Sequence, residues 1–146
     1  MQNADVIPSI VMSAHALARF AAQDAGNEAP SAQWRALGIL ERQGGMRLGA
    51  LALAARTTQP GMTRLVGALE QSGLVSRSTD PADTRATLVD ATDEGLAHLR
   101  AWRAEMRDTL APRFTDLDED EWAVLRRAAG ILAAHAQEPT TTGEPA

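Results

Sequence analysis

Six residues between positions 58 and 64 have side chains suited to one kind of recognition: Thr58, Gln59, Pro60, Met62, Thr63 and Arg64. Hydroxyls and an amide donate and accept hydrogen bonds, a thioether makes apolar contact, and only Arg64 carries charge. That mix suits reading base edges in a major groove, where donors, acceptors and methyl groups alternate. A second set is basic. Arg85 ends a polar stretch of turn-forming residues, Ser78 to Arg85, and Asp83 is close enough in sequence to orient it. Arg85 is expected to enter a groove. Asp83 is expected to position it, because a carboxylate beside phosphates would repel them. Arg77, Arg47 and Arg56 are candidate phosphate contacts. The chain has no Gly-rich phosphate loop, no metal-ligand spacing, and no Ser or Cys nucleophile near a His and an acid. No enzyme activity and no cofactor are expected. His15, His98 and His135 are scattered along the chain, so they read as packed or surface side chains rather than metal ligands.

The elements that must position these residues follow from capping and periodicity. A short Ala/Leu helix is expected over about 47–55, then a tight link at Arg56-Thr57. A second helix is expected over about 58–72. Thr57 or Thr58 can cap its first turn, and Pro60 falls where a missing N–H costs little. Leu65, Val66 and Leu69 make its inner face; Gln59, Met62, Thr63 and Arg64 are assigned to the outer one. Gly73 can take the left-handed conformation that ends the helix. Two short strands, 74–77 and 86–89, then form a hairpin. Helix, turn, helix and a basic-tipped hairpin make a winged helix-turn-helix. Its second helix would enter the major groove and its wing an adjacent minor groove.

The flanks are apolar helices. The first is expected over about 6–25, with Asp5 as its cap and Pro8 in its first turn. Residues 26–30 read as a break. A helix from about Ser31 carries Trp34, Leu37 and Leu40 on one face and ends at Gln43-Gly44-Gly45. Thr92 caps a long helix in which Leu96, Leu99, Trp102, Met106 and Leu110 repeat at helical spacing, closed by Pro112. Asp116 to Glu121 makes an acidic start to a last helix bearing Trp122, Leu125, Ala129 and Leu132, where the helix dipole favours acids. Residues 137–146 have the low hydrophobicity of a disordered tail.

Bulk properties bound the possibilities. The chain of 146 residues is read as a single domain, and 45% hydrophobic residues suffice for a core. No cysteine is present, which excludes disulfides and thiolate metal sites. No apolar run reaches the roughly 18 residues that a membrane span requires. The N-terminus lacks a basic region followed by an apolar core, so no signal peptide and a cytoplasmic bacterial protein are expected. The net charge is −5, yet from Arg42 to Thr79 there are five Arg and one acid. An acidic body with a basic band is a usable footprint for DNA.

The run TTQPGMTRLVGALEQSGLVSR, followed by DPADTRATLVDATDEG, resembles the multiple antibiotic resistance regulator (MarR) family of bacterial repressors. Pro60, Thr63, Arg64, Val66, Leu69, Glu70, Gly73, Leu74, Val75 and Arg77 follow its recognition-helix pattern in order. Asp80, Pro81, Asp83, Arg85, Thr92 and Gly95 follow its wing pattern. Thr84 stands where the family wing usually has its first Arg, and Ala91 where it usually has Leu. The resemblance covers roughly 5–136. It implies a mainly α fold with a small β-hairpin wing, in which a DNA-binding lobe (31–91) is flanked by dimerisation helices (5–30 and 92–136). It also implies a repressor of its own or neighbouring genes and a small-molecule effector bound between the dimer helices and the lobe; Met12, His15, Arg19 and Trp34 are candidates to line that pocket. The terminal helices carry more apolar surface than the lobe could cover, which independently points to a homodimer. Two copies would read a pseudo-palindromic operator with half-sites about one helical turn apart. The rival expectation is a winged-helix module for protein interaction or architecture; it would tend to expose apolar residues where this chain has polar ones.

Overall fold

The computed structural model describes residues 1–26 and 31–137; all but Gly26 of the break expected at 26–30, and all but Gln137 of the tail expected at 137–146, lie outside the described residues. The order is α1 (Asn3–Asp24), α2 (Ser31–Gln43), β1 (Met46–Arg47), α3 (Leu48–Ala54), α4 (Gln59–Gln71), β2 (Val75–Asp80), β3 (Asp83–Ala91), α5 (Asp93–Leu110), a 3-10 turn (Ala111–Phe114) and α6 (Glu119–His135). Mainly α with a small three-stranded antiparallel sheet, this is the expected class. Two compact units divide at Ala111/Pro112.

The first unit is built around α2. Trp34 is buried on this helix, and Ala36 to Leu40 are buried without interruption, so it is enclosed on every side over that turn rather than along one face. Leu37, Leu40, Leu51, Met62, Val66, Val89 and Leu99 are its most deeply buried neighbours and members, drawn from α2, α3, α4, β3 and α5. The sheet order is β1-β3-β2. Met46 pairs with Val89 on one side of β3, and Arg77 with the same Val89 on the other.

Of the four left-handed residues among those described, Arg56 and Gly73 end the two helices of the helix-turn-helix. Gly73 has φ 76° and ends α4, with Leu74 N–H donating to Leu69 O at 2.9 Å and Gly73 N–H to Glu70 O at 3.0 Å. That is the Schellman pattern in which glycine is usual. Arg56 has φ 51° and ends α3 in the same way, with Thr57 N–H donating to Ala52 O at 2.9 Å. A side chain in that conformation costs about 1–2 kcal/mol.

The start of α5 is tied to the end of α4. Thr92 caps α5 by accepting from Gly95 N–H at 3.0 Å, and its hydroxyl donates to Gly73 O at 2.6 Å. Gly95 lies so close to the Leu74 carbonyl that a Cβ there would sit 2.0 Å from its oxygen.

Several boundaries differ from expectation. The first helix begins at Asn3, with Gln2 as N-cap and no side-chain cap, so Asp5 lies inside the first turn and Pro8 inside the helix. The hairpin strands run on to Asp80 and from Asp83, which shortens the tip to Pro81-Ala82. Asp80 closes that turn by accepting from Ala82 N–H at 2.9 Å. The two-residue β1 has no counterpart in the sequence pattern, because Met46-Arg47 is too short to show alternation.

The second unit contains α6. Asp118 caps it, and Glu121 returns the bond to the Asp118 N–H, a full capping box. Phe114 and Trp122 rings meet at 6.4 Å, and no residue of α6 is buried. Among the described residues no helix is long and apolar enough to cross a membrane.

Replacing Gly95 with alanine forces the backbone apart where α5 meets Leu74. We expect a loss of about 1–3 kcal/mol, read as a lower denaturation midpoint in urea with an unchanged m-value.

Candidate nucleic-acid interface

Helix α4 is set by its inner face. Met62, Val66 and Leu69 recur at i, i+4, i+7 and are buried. Met62 is wholly inaccessible (0% exposed), which corrects its assignment to the outer, base-reading face. The physical reason is spacing: residue 62 shares a face with 66 and 69, whereas 63 and 64 are turned about 100° and 200° from it around the helix. Gln59, Pro60, Thr63 and Arg64 are exposed and form the outer stripe. Thr58 caps the helix, its hydroxyl accepting from Gly61 N–H at 3.2 Å. Thr63 hydroxyl donates back to Gln59 O at 2.9 Å.

The basic candidates fall into two groups. Arg47, Arg77 and Arg85 each meet an acid. Arg47 Nε and Nη2 both lie 2.8 Å from Asp80 Oδ2. Arg77 grips Glu70 with two bonds, 3.1 and 2.7 Å, tying β2 to the last turn of α4. This pairing holds the Glu70 carboxyl below its ordinary value and Arg77 above its own. Asp83 Oδ1 accepts from Arg85 N–H at 3.0 Å and from Arg85 Nε at 3.3 Å. The Arg85 side chain remains 91% exposed. Arg56 and Arg64 are exposed, and among the described residues neither forms an ion pair. Arg35 was not singled out from the sequence; its Nη1 donates to Ala55 O at 3.2 Å, satisfying a carbonyl that the end of α3 leaves open.

The four expected pocket residues do not come together. Trp34 stacks on Trp102 (4.9 Å, 12°) and on His98 (5.5 Å, 16°), and these rings border an open cleft of about 740 Å3 beside α2 and α5. Met12, His15 and Arg19 are exposed on α1 and do not line it. The residues of α1 that share a hollow with Trp102 and Met106 are others, Ala18, Ala21 and Ala22, with Ala25 at the helix C-cap. Sequence reading could have found His98 and Trp102 from their i, i+4 spacing on α5. Among the described residues no group of three or more His or acidic side chains is placed to hold a metal ion.

A short helix, a left-handed turn, a polar-faced second helix and an arginine-tipped hairpin define the class: a winged helix-turn-helix transcriptional regulator. Comparison narrows it. The model of the MarR family matches residues 30–87. An uncharacterised HTH-type transcriptional regulator of Mycobacterium bovis is 36% identical over 102 residues, spanning 70% of this chain and 71% of that protein. The HTH-type transcriptional repressor IacR of Pseudomonas putida is 27% identical over 100 residues, 68% of this chain and 60% of its own length. A crystal structure of a probable transcriptional regulator from Pseudomonas aeruginosa superimposes with a TM-score of 0.59 at 30% identity, over 92% of this chain and 99% of that one. A mutant of S. aureus MepR bound to an oligodeoxyribonucleotide has a TM-score of 0.62 at 22% identity, over 90% of this chain and 98% of its own. The chain belongs to the MarR family.

Two outcomes follow. Met62→Ala should cost about 2–5 kcal/mol by cavity formation, while Arg64→Ala changes stability by less than about 0.5 kcal/mol; chemical denaturation separates them. The second concerns pH. Glu70 is lowered by its bonds to Arg77, and Asp80 by the Ala82 N–H and then Arg47. Lowered carboxyls contribute stability above the ordinary carboxylate range and lose it as pH falls through the folded values. Protection of the wing amides, taken relative to the intrinsic exchange rate at each pH, should therefore fall on acidification below that range before protection in α2 does, and Glu70→Gln should remove part of that pH dependence.

Proposed function

We propose that this protein is a homodimeric, sequence-specific DNA-binding repressor of its own or neighbouring genes, released from a pseudo-palindromic operator by a small-molecule effector. It acts in the cytoplasm and without catalysis. The observation that carries the reading is the polar outer stripe of α4, Gln59, Pro60, Thr63 and Arg64, beside a wing whose Arg85 is 91% exposed. A stripe of donors and acceptors suits base edges, and an extended guanidinium suits a narrow groove. Arg56 supports it further: an exposed Arg holds a left-handed backbone, a strained conformation of the kind that clusters at functional sites. Thr58 serves the same surface as the cap that starts α4. Paired as they are with acids, Arg77 and Arg47 would reach phosphate only by leaving Glu70 and Asp80.

The dimer reading rests on apolar exposure. Ile7, Val11, Met12 and Phe20 on α1 are exposed, as are Trp122, Val124, Leu125 and Ile131 on α6. A soluble monomer rarely leaves so much large apolar surface uncovered. We assign 5–30 and 92–136 to dimerisation and 31–91 to DNA. One α4 per protomer then gives two reading heads. For an effector, the cleft beside Trp34, His98 and Trp102 offers flat apolar faces and one wall on α5, the helix bonded to the base of the wing. A ligand that binds one arrangement of that wall better than another would shift the half-site spacing.

The test is fluorescence anisotropy on the intergenic DNA upstream of the gene, at two salt concentrations with excess random competitor. Wild type should bind tightly, and log K should fall with log salt by roughly 0.9 per phosphate contact. Arg85→Ala should weaken binding roughly ten- to hundredfold. Absence of binding to any duplex at low salt would sink the reading.

A further inference from the structure

We infer that Asp80 is a positioning residue for the wing, and that Arg47 acts through it as a strut rather than as a phosphate contact. The inference rests on the reading that the wing engages DNA. Among the described residues Asp80 is the one buried charged side chain. It stands in a surface hairpin, directly across from Asp83 and close to the arginine that Asp83 orients. A carboxylate there would repel phosphate, so its place requires a compensating partner.

Both of its oxygens are engaged. Oδ1 accepts from Ala82 N–H at 2.9 Å and closes the Pro81-Ala82 tip. Oδ2 takes Nε and Nη2 of Arg47, both at 2.8 Å, from 33 residues earlier in the chain. Arg47 is itself fixed: it is the N-cap residue of α3 and pairs with Leu88 of β3. One carboxylate thus joins the wing tip, the third strand and the start of the first helix of the helix-turn-helix.

The backbone explains how an acid comes to face inward. In β2, Val75 is buried and the next buried residue is Asp80, five positions on. Strict alternation would put an odd offset on the opposite face. The register shifts between Thr79 and Asp80, and such a shift re-aims the side chain that follows it. The irregularity turns Asp80 onto Arg47. A guanidinium held on two donors by a buried carboxylate has little charge to offer a phosphate, whereas its direction sets where the tip, and with it Arg85, is carried.

The test separates the two roles. Asp80→Asn keeps an oxygen for Ala82 N–H but replaces the acceptor of Arg47 with a donor. Arg47→Lys keeps the charge without the fork. Amide hydrogen exchange on the DNA-free protein, followed by mass spectrometry, is expected to quicken over 78–88 in both variants and stay unchanged in α2 and α5. Anisotropy on the duplex that wild type binds is expected to show affinity reduced roughly five- to tenfold with the salt slope of wild type. Added to Arg85→Ala, Asp80→Asn should lose less than the product of the two separate losses, because it works by placing Arg85. The inference is overturned if wing exchange is unchanged in both variants. It is equally overturned if Arg47→Ala lowers the salt slope by roughly 0.9 per protomer while Asp80→Asn binds as wild type. If wild type binds no duplex, the proposed function fails; the exchange measurement still decides whether the strut orders the wing.

Discussion

The enclosed turn of α2 is the constraint on which the DNA-facing surface depends. Ala36 to Leu40 are buried without a break, so α3, α4, β3 and α5 must each present apolar side chains to one short segment. A helix with a single buried stripe has no rotational freedom once that stripe is seated. For α4 the stripe is Met62, Val66 and Leu69. Seating it leaves Gln59, Pro60, Thr63 and Arg64 outward, whatever their own preferences. The polar surface is a consequence of how the core closes.

The wing solves a different problem, that of standing away from the core with little apolar support. Its β2 residues from Ser76 to Thr79 are all exposed. Ion pairs supply what burial does not: Glu70 with Arg77 at its base, Asp80 with Arg47 on its inner side, Asp83 with Arg85 at its tip. The two exposed pairs, Glu70 with Arg77 and Asp83 with Arg85, contribute little to global stability. They carry direction instead, since a two-donor grip on a carboxylate restricts the angle between the elements it joins. The same pairs reduce the free positive charge of the lobe, leaving Arg35, Arg42, Arg56 and Arg64 as exposed arginines without an ion pair among the described residues.

Helix α5 links the two ends of this lobe. At its start Thr92 and Gly95 are bonded and packed against Gly73 and Leu74, with no room for a side chain at Gly95. Further along, Leu99 enters the core and Trp102 stacks on Trp34 of α2. A close-packed contact at one end and a ring stack at the other make the helix a stiff connection, because dense packing passes displacement on rather than absorbing it.

Much of this was legible in the sequence. Caps at Thr58 and Thr92, the stop at Gly73, the helical spacing along α5 and the acidic start of α6 are local: each depends on residues within four positions, so the chain states them outright. So did the winged helix-turn-helix order. What could not be read depended on partners far away in the chain. Met62 is the exception: its i, i+4, i+7 spacing with Val66 and Leu69 is local, and periodicity alone places it on the inner face. The length of the wing strands and the two residues of β1 depended on pairing with β3. The grip of Arg47 on Asp80 spans 33 residues and no motif spacing announces it. Capping and periodicity are short-range interactions, recorded wherever the residues are written; register and ion pairing are settled only when distant segments close on one core.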